Sequence, residues 1–578
     1  MDTITREVIR ASLLAYADEM TKNFWRSSYG VMNYEVRDFA VGFVDPEGRI
    51  VVQSRFTHPA FTADLGYVVK DAVAEQDEIN PGDVIISNDP DSQGQHLNNV
   101  VVILPIYVEQ ELVAFSCVRA HWQDIGGATV GSTGTKTTDI FQEGLQLKAI
   151  KVYDRGVPNK EVLKIIRSNS RFPDINLGDF NAQIAACKLG ERRLGSLLAK
   201  YGVADVISAI HEGWDMSEKA ARAALREIPK GEYTAESFLD NDGVELDRPV
   251  KIKVHVTVQD ESMLIDFSEI ADQTRGPINS GYFGGALNVG RIAFKCLTTP
   301  RLPSDEGCFR PLEVVCPKGK MLNARPPAPL GHWSVPFPTI LDTIFKALSE
   351  AVPHRIPAST RGDARGVGVS GYDTAKKTFF HISPPHMGGH GARPIADGPA
   401  PKCAIQQGDE HAVPIELCEI KSPILFESLR LRQDSGGAGK FRGGLGIETV
   451  FSMEIDGRLR NMMIRSQCLP WGVHGGKNGA TNEAYVLKPE GTEERLPRAT
   501  DFPLPKGSKV RLKTGGGGGY GNPVQRAEEE VLQDALNGYI SLRAAEEDYG
   551  VVIDPVRLTI DREATRKKRR AMKEMGAL

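Results

Sequence analysis

The sequence predicts an α+β fold, a mixed multi-domain chain with β-hairpin-rich sheets, a helical layer near residues 160–230 and a C-terminal helix. Short runs such as VKIKVHVTV and SMLIDFSE alternate apolar and polar residues, which is typical of strands with one side facing solvent. Between about residues 159 and 230 the apolar residues recur at helical spacing instead. The 58 glycines and 35 prolines occur at ordinary charge and apolar content, which favours many turns rather than disorder.

Changes in these patterns predict where the regions of the chain begin and end. Its 578 residues are enough for several domains. We expect an N-terminal α/β region with a metal site at 1–155 and a helical layer at 156–230. A β-rich, glycine-containing region follows at 231–522, and a C-terminal helix with a basic tail occupies 523–578.

Composition and charge exclude several classes of function. The formal net charge of −5 provides no broad positive field, so we expect no nucleic-acid partner. The first twenty residues lack the pattern of a signal peptide, and no apolar run approaches the length of a membrane span, so we expect a cytoplasmic protein with no membrane contact. Eight scattered cysteines form no C-x-x-C pair, which argues against a zinc finger or a redox motif.

Nucleotide-binding motifs are also missing from the sequence. Residues 366–371 fit G-x-G-x-x-G, but the following YDTAKKTFFHIS predicts a hairpin where a dinucleotide site needs a helix. The stretch GGAGKF has the wrong glycine spacing for a phosphate loop, and phenylalanine stands where the magnesium-binding hydroxyl is needed. The chain therefore carries no ATP site of its own.

The stretch 87–127 holds the best candidates for chemistry. Two β-rich runs, 100–108 and 111–120, predict a hairpin with His96 just before it and His121 just after it. The two ends of a hairpin lie side by side, so these imidazoles meet. Histidine with nearby oxygen ligands suits Zn, Mn or Fe(II). The residues alone leave an alternative equally open, in which each histidine bonds backbone carbonyls in a loop.

Three carboxylates near this stretch have two interpretations each. Asp38 opens a strand, as a turn residue or as a ligand that projects toward the two histidines. Asp124 lies in the polar turn that follows the hairpin. Glu143 lies in a glycine- and threonine-rich loop, where a carboxylate is either solvated or part of a site.

Seven motifs in order resemble the hydantoinase B/5-oxoprolinase family across nearly the whole chain. They are NDPDSQGQHLNNV, AHWQDIGG, FQEGL, DEGCFRPLEVVCPKG, QDSGGAGKFRGGLG, TGGGGGYGNP and EEDYGVVID. The family includes second subunits of ATP-dependent N-methylhydantoinases, caprolactamase β subunits, the C-terminal half of 5-oxoprolinases and subunits of acetone and acetophenone carboxylases. The resemblance implies a hydantoinase A-like partner with an actin-like fold that binds ATP and Mg. It also implies a hetero-oligomer of the α2β2 type or larger and a small-molecule substrate.

The resemblance further implies a divalent metal, Zn, Mn or Fe, in this subunit. Carried over by position, the ligands are Asp38, His96, Asn99 and His121, with Asp124 and Glu143 as acid–base or ligand-supporting residues. This sequence departs from the family at Asn99, which replaces the usual aspartate. A neutral amide oxygen can still bind a divalent cation, but less strongly than a carboxylate.

The function that the resemblance implies is hydrolysis of a cyclic amide. The partner would phosphorylate a lactam, a hydantoin or a 5-oxoproline-type substrate, and this chain would open the activated ring with a metal-assisted water. Two alternatives stay open at this point. The chain is a subunit of an acetone- or acetophenone-type carboxylase, or it is a non-catalytic scaffold that shapes the partner's site.

Overall fold

The computed structural model describes residues 1–364, 366–496 and 499–574. The predicted α+β class is confirmed, since the chain combines long helices with several mostly antiparallel sheets. The residues form two compact units: Met1–Thr234, Lys253–Ser334 and Ile405–Val413 in the first, and Ala235–Ile252, Val335–Ala404 and Pro414–Leu578 in the second. Both units are discontinuous in sequence, whereas the expected regions were consecutive segments of the chain.

Fourteen α-helices are present in the described residues, and none of them has the length and apolar content that crossing a membrane requires. They are α1 (Thr3–Ser27), α2 (Val31–Tyr34), α3 (Pro59–Thr62), α4 (Leu65–Ala74), α5 (Pro90–Gln93), α6 (Lys160–Ser168), α7 (Pro173–Tyr201), α8 (Val203–Leu225), α9 (Asn288–Thr298), α10 (Phe337–Ala347), α11 (Ile415–Lys421), α12 (Glu528–Leu536), α13 (Leu542–Tyr549) and α14 (Arg562–Glu574).

Twenty strands form four sheets within the described part of the chain. They are β1 (Phe39–Val44), β2 (Ile50–Gln53), β3 (Val84–Ser87), β4 (Asn99–Val108), β5 (Glu111–His121), β6 (Ile150–Asp154), β7 (Val157–Pro158), β8 (Gly231–Leu239), β9 (Val250–Val258), β10 (Met263–Asp266), β11 (Leu312–Val315), β12 (Val367–Asp373), β13 (Thr378–Ile382), β14 (Ile424–Leu431), β15 (Ile447–Met453), β16 (Gly457–Asn461), β17 (Glu483–Leu487), β18 (Glu493–Arg495), β19 (Ala499–Leu504) and β20 (Lys509–Lys513).

The first unit is built on a seven-stranded sheet in the order β2-β1-β5-β4-β3-β6-β7, with every neighbouring pair antiparallel. Both faces of its centre are buried. Along β4, Val100 and Val102 join the cluster that includes helices α1 and α7, while Val101 and Ile103 join a second cluster with α4. Because successive side chains point to opposite faces, a strand buried on both sides reads as a continuous apolar run. The sequence NVVVILPIYV shows this pattern.

The predicted helical layer is present as α6, α7 and α8. Gly202, with φ +84°, ends α7, a backbone conformation that costs glycine little. One buried amide ties the layer to the sheet, since Gln183 Nε2 donates to the carbonyl oxygens of Val100 and Val118, 2.9 Å from each. The layer therefore supports β4 and β5 from one side. The remaining sheet has the strand order β11-β10-β9-β8.

The second unit contains a four-stranded sheet, β13-β12-β16-β19, and a five-stranded sheet, β14-β15-β20-β17-β18. The G-x-G-x-x-G match lies on β12, which pairs with β13 as the predicted hairpin. The long helix expected near 524–550 is instead two helices, α12 and α13. Gly538 adopts φ +71° between them and the Ser541 side chain caps α13. The basic tail forms α14.

Glycine backbone fills the interior of the second unit around residues 515–519. Gly517 donates to the Gly444 carbonyl at 2.9 Å and accepts from the Gly437 amide at 2.8 Å. A Cβ atom on Gly517 would lie 1.9 Å from the carbonyl oxygen of His390, so no larger residue fits there. The segment TGGGGGYG therefore packs closely against neighbouring chain segments inside the second unit, and it does not form a phosphate-binding loop.

Candidate functional site

Three neighbouring strands of the seven-stranded sheet bring polar residues to one edge. Asn99 begins β4 and lies opposite His121, the last residue of β5. Asp38 directly precedes β1, and its carbonyl oxygen accepts from the His121 amide at 3.1 Å. Arg37, with φ +64°, makes the turn that leads into β1. Antiparallel pairing thus places residues 38, 99 and 121 together, although they are far apart in sequence.

His96 completes this arrangement from the turn that precedes β4. Its ring centroid lies 5.0 Å from that of His121, with the ring planes nearly perpendicular. Its Nε2 atom lies 2.9 Å from the Oδ1 atom of Asn99. We call Asp38, His96, Asn99 and His121 the strand-end group. The side chains of His96, Asn99 and His121 therefore lie together, and Asp38 adjoins His121 through the backbone. Three of the four residues are buried, and His96 is half-buried.

The two ring nitrogens of His96 both face oxygen acceptors. The Nδ1 atom lies 3.3 Å from the carbonyl oxygen of Gly331, and the Nε2 atom faces the amide oxygen of Asn99. A neutral imidazole has a single N–H, so one of these oxygens opposes a ring lone pair unless a second proton or a metal ion is present. Two ligand atoms at right angles on a metal, with bonds of about 2.1 Å, lie about 3.0 Å apart. The Nε2 to Oδ1 distance of 2.9 Å is that of an ordinary N–H···O hydrogen bond and is also close to this separation.

A second group near Asp38 was missed by the sequence reasoning. One ligand atom each from Asp38, His58 and Glu410 lies within 4.8 Å of the others, and all three residues are buried. His58 comes just before α3, and Glu410 lies in a segment that joins the first unit from far along the chain. The sequence around His58, FTHPAF, gave one local signal, a histidine before a helix-starting proline. Nothing local indicates Glu410.

The hydrogen bonds of His58 differ from those of His96. Its Nδ1 atom accepts from the Ala60 amide at 3.1 Å, so the ring hydrogen lies on Nε2. That Nε2 lies 2.9 Å from Glu410 Oε1 and donates to it. Metal-bound histidines show the opposite arrangement, in which the non-ligating nitrogen donates to an oxygen. The His58–Glu410 pair is therefore a hydrogen-bonded pair beside the strand-end group.

Glu143 is the last residue of a 3-10 helix, Ile140–Glu143, and its buried carboxylate contacts the segment that faces His96. Its Oε1 accepts from the amides of Leu330, at 3.0 Å, and Gly331, at 2.8 Å, and from Thr137 Oγ1 at 2.9 Å. Burial raises the pKa of Glu143 to about 8, against the opposing effect of these donors. The Gly331 carbonyl faces His96 Nδ1. Glu143 therefore holds, through the Gly331 amide, the residue whose carbonyl orients the His96 ring.

Asp124 lies on the loop after β5, and donors surround its buried carboxylate. It accepts from the Gly126 amide at 3.1 Å, the Gly131 amide at 2.9 Å and the Arg171 guanidinium at 2.8 Å. The Ser132 hydroxyl lies 3.4 Å away. These bonds fold the loop of residues 124–132 around the carboxylate. Such an environment suits a residue that shapes the loop behind His121, and an acid–base role for Asp124 stays a prediction.

The backbone of His121 has its own support from α2 and α7. Asn33 Nδ2 donates to the His121 carbonyl at 3.3 Å and to Asp179 Oδ2 at 2.8 Å. Asp179 also accepts from the Tyr29 and Gly30 amides. Burial raises the pKa of Asp179 to about 6. The end of β5 is thus held in place by buried polar contacts rather than by apolar packing alone.

A cavity of about 370 Å³ opens in the first unit next to residues that flank His58 and Glu410, since Pro59 and Ile405 both line it. No acidic residue is among its described lining residues, and the Lys295 ammonium donates to two neutral oxygens, Thr299 Oγ1 at 3.0 Å and the Pro303 carbonyl at 3.1 Å. Two of its basic residues are paired with carboxylates, Arg55 with Asp18 and Arg291 with Glu306, so the positive charge that favours an anion comes from Lys295 and Arg301. The basic residues that line it are Arg55, Arg291, Lys295 and Arg301.

Comparison with known proteins agrees with this fold. The chain is 33% identical to a putative second subunit (hydantoinase B) of a D-/L-hydantoinase from Pseudomonas sp. (strain NS671), over 96% of this chain and 95% of that protein. The crystal structure of the ATP-dependent caprolactamase from Pseudomonas jessenii superimposes with a TM-score of 0.92 at 30% identity, covering 99% of this chain and all of that one. The nucleotide-free structure of acetone carboxylase also gives 0.92, covering 99% of this chain and 83% of that one, but at 18% identity it shows the fold alone.

The family model described as hydantoinase B/oxoprolinase matches residues 2–523, which is most of the chain. Together with the Pseudomonas hydantoinase relative, this match identifies the protein: the chain belongs to the hydantoinase B/oxoprolinase family and is a hydantoinase B-type subunit.

Proposed function

We propose that this chain is the hydrolytic subunit of an ATP-dependent cyclic amidohydrolase. Its substrate is a lactam, a hydantoin or a 5-oxoproline-type ring whose amide oxygen has been phosphorylated. The observation that carries the proposal is the strand-end group, in which two imidazoles and an amide meet at one edge of the sheet and Asp38 adjoins them through its backbone contact with His121. The likeness to an ATP-dependent caprolactamase supports the substrate class.

The strand-end group has the donors that a divalent metal needs. Asp38, His96, Asn99 and His121 would hold Zn, Mn or Fe(II), since all three accept mixed nitrogen and oxygen ligands. When bound, such a metal supplies Lewis acidity and lowers the pKa of water toward about 7. These residues fit a metal because both ring nitrogens of His96 face oxygen acceptors, and a neutral ring can donate to only one of them.

The protein's own residues position the water and the ring. The Gly331 carbonyl orients His96, and Glu143 accepts from the amides of Leu330 and Gly331 and so holds the residue that carries this carbonyl. Phosphorylation makes the ring carbon more electrophilic, so that water adds to it, the protons of that water pass to the ring nitrogen and the C–N bond breaks. The acyl phosphate that results is hydrolysed by a second water to the carboxylate and inorganic phosphate. We assign Glu143 and Asp124 to holding the site's peptides and loop, because their oxygens are occupied by donors.

The proposal requires a partner that binds ATP. The sequence has no phosphate-loop motif, and its longest glycine run is packed in the core of the second unit. We propose a hydantoinase A-like partner as the phosphoryl donor, in a hetero-oligomer of the α2β2 type or larger. The basic cavity beside His58 favours an anion and so supports delivery of a phosphorylated intermediate to this chain.

The test is reconstitution of this chain with its hydantoinase A-like partner. We expect lactams or hydantoins to stimulate ATP turnover and to give ring-opened products, and we expect His121→Ala to abolish product formation. Stimulation only by ketones with bicarbonate would instead support the carboxylase alternative. Metal-free protein whose His96→Ala and His121→Ala variants keep full activity would support the scaffold alternative.

A further inference from the structure

A line of buried polar side chains runs from Arg119 to His96. The Arg119 guanidinium donates to Asp64 Oδ1 at 2.6 Å, and Asp64 Oδ2 accepts from Gln95 Nε2 at 3.0 Å. Gln95 Oε1 then accepts from Asn99 Nδ2 at 2.8 Å. The other atom of that amide, Asn99 Oδ1, faces His96 Nε2. The first four residues of the line are completely buried, so water cannot replace a missing partner.

The line has a fixed direction because its amides have two different ends. The Gln95 nitrogen lies between two acceptors, Asp64 Oδ2 and the Ala60 carbonyl at 3.2 Å. If the Gln95 amide were turned over, its oxygen would face both of these acceptors. The Gln95 oxygen must therefore point toward Asn99. Only the NH₂ end of the Asn99 amide can meet an oxygen, and so its own oxygen points to His96.

We propose that Gln95 is a positioning residue. It holds the Asn99 amide so that its oxygen, and not its nitrogen, faces the metal that the strand-end group would bind. This inference rests on the proposed function. Gln95 reaches its place through Gly94, whose φ of +66° and close approach to Gly281 leave no room for a side chain. The left-handed turn at Gly94 thus directs one side chain toward Asp64 and the next toward the strand-end group.

The pairing of Gln95 with Asn99 predicts how an aspartate, the residue that the family usually has at position 99, would behave in this protein. An aspartate at position 99 has no N–H, so one of its oxygens would face the Gln95 oxygen across the present 2.8 Å contact. The added negative charge would favour a metal, but the opposed oxygens would counteract it. The effect of Asn99→Asp should therefore depend on the residue at position 95.

A double-mutant cycle with Gln95→Met and Asn99→Asp tests this dependence. Methionine keeps the length and volume of glutamine and removes both ends of the amide. In the Asn99 protein, we expect Gln95→Met to weaken Mn²⁺ and Zn²⁺ binding about tenfold, the lower range for residues that orient ligands. In the Asn99→Asp protein, we expect the same change to strengthen binding. Isothermal titration of metal-free protein with MnCl₂ or ZnCl₂ measures both. A merely structural role would give the same sign twice.

Gln93→Met provides a matched control. Gln93 is equally buried on α5, two residues away, and its amide donates to the Ser87 carbonyl at 2.7 Å rather than to the strand-end group. We expect this variant to bind both metals with the wild-type affinity. If it weakens binding as much as Gln95→Met does, then the loss of any buried amide explains the effect and the inference is overturned.

The melting temperature of the metal-free proteins gives an independent measurement. We expect Asn99→Asp to lower it more when position 95 is glutamine than when it is methionine, since only glutamine opposes the new oxygen. If the wild type binds neither metal but this coupling is present, the metal in the proposed function fails and the positioning of Asn99 by Gln95 stands. If the coupling is absent, or if Gln95→Met changes metal affinity equally in both backgrounds, the positioning role is refuted.

Discussion

His96 and His58 differ in what their Nδ1 atoms contact. His96 presents Nδ1 to a carbonyl oxygen, that of Gly331, whereas His58 accepts an amide hydrogen from Ala60 at the same atom. The first contact favours a hydrogen on Nδ1 and directs the Nε2 lone pair to the strand-end group. The second places the hydrogen on Nε2, where it is donated to Glu410.

This difference shows that close histidine and carboxylate side chains are not sufficient to define a metal site. Asp38, His58 and Glu410 have ligand atoms within 4.8 Å, yet a backbone amide commits His58 to donating from Nε2. His96 and His121 have ring centroids 5.0 Å apart, and His96 has the carbonyl contact typical of a metal ligand. One backbone group at each ring therefore separates the proposed ligand, His96, from a hydrogen-bond donor, His58.

The largest expected effect is that of His96→Ala on metal binding. Removing a ligand should cost more than the 10–100-fold typical of residues that only orient ligands, so we expect Zn²⁺ affinity to fall more than about 100-fold. Calorimetric titration of the metal-free protein measures it. His255→Ala is the control, since that ring bonds Glu269 and Thr234 elsewhere in the first unit. Unchanged affinity in His96→Ala would remove His96 from the site.

Asp124→Asn should have the second largest effect, on stability. The substitution weakens a buried ion pair with Arg171 and turns an N–H toward loop amides, so we expect the free energy of unfolding to fall by about 3 kcal/mol. Urea denaturation of the metal-free protein measures the loss. If the variant has normal stability but an altered pH profile of kcat, Asp124 acts as an acid or base in the reaction instead.

His58→Ala tests directly whether His58 differs from His96 in its contribution to metal binding. It removes the donor to Glu410, and a hydrogen bond to a charged group contributes about 2 kcal/mol, so we expect a stability loss of that size. Zn²⁺ affinity should stay within about threefold of the wild type, because His58 donates rather than ligates. Both quantities come from one preparation by denaturation and titration. A loss of metal binding comparable to that of His96→Ala would place His58 among the ligands.

Glu143→Gln changes the pH dependence of stability. Burial raises the pKa of Glu143 in the folded state to about 8, well above the 4.5 of an exposed glutamate. Its contribution to stability is thus fully present below pH 4.5 and is lost as the pH rises to about 8. We expect the variant to lack this decline, a difference in slope of at most about 1.4 kcal/mol per pH unit. Denaturation of metal-free protein from pH 5 to 8 measures the slopes.

The same experiment has its own control for the site. Glutamine keeps an oxygen to accept from the Leu330 and Gly331 amides, so the peptide that orients His96 should remain in place. We expect Zn²⁺ affinity at pH 7 to change less than threefold. Parallel stability curves for the two proteins would show that Glu143 is ionised in the folded protein across this pH range.

Local patterns predicted the part of the site that is close in sequence. The β-rich runs before and after residues 109–110 predicted the hairpin of β4 and β5, and a hairpin necessarily brings the residues at its two ends together. The residues alone left Asp38 open as a turn residue or a ligand, and only the family resemblance placed it with the histidines. Glu143 was expected on a mobile loop, but two amides from residues 330 and 331 bury it, and such a distant contact has no local signature.

The sequence by itself determined the strands, the helical layer and the edge where His96 and His121 meet, because alternation and helical spacing are properties of neighbouring residues. The tertiary structure alone decided that the two units interleave along the chain, that Glu410 lies beside His58, and that Gln95 directs the Asn99 oxygen toward His96. These features depend on which hydrogen-bonding groups of distant segments face each other once water is excluded, and only the folded chain specifies that.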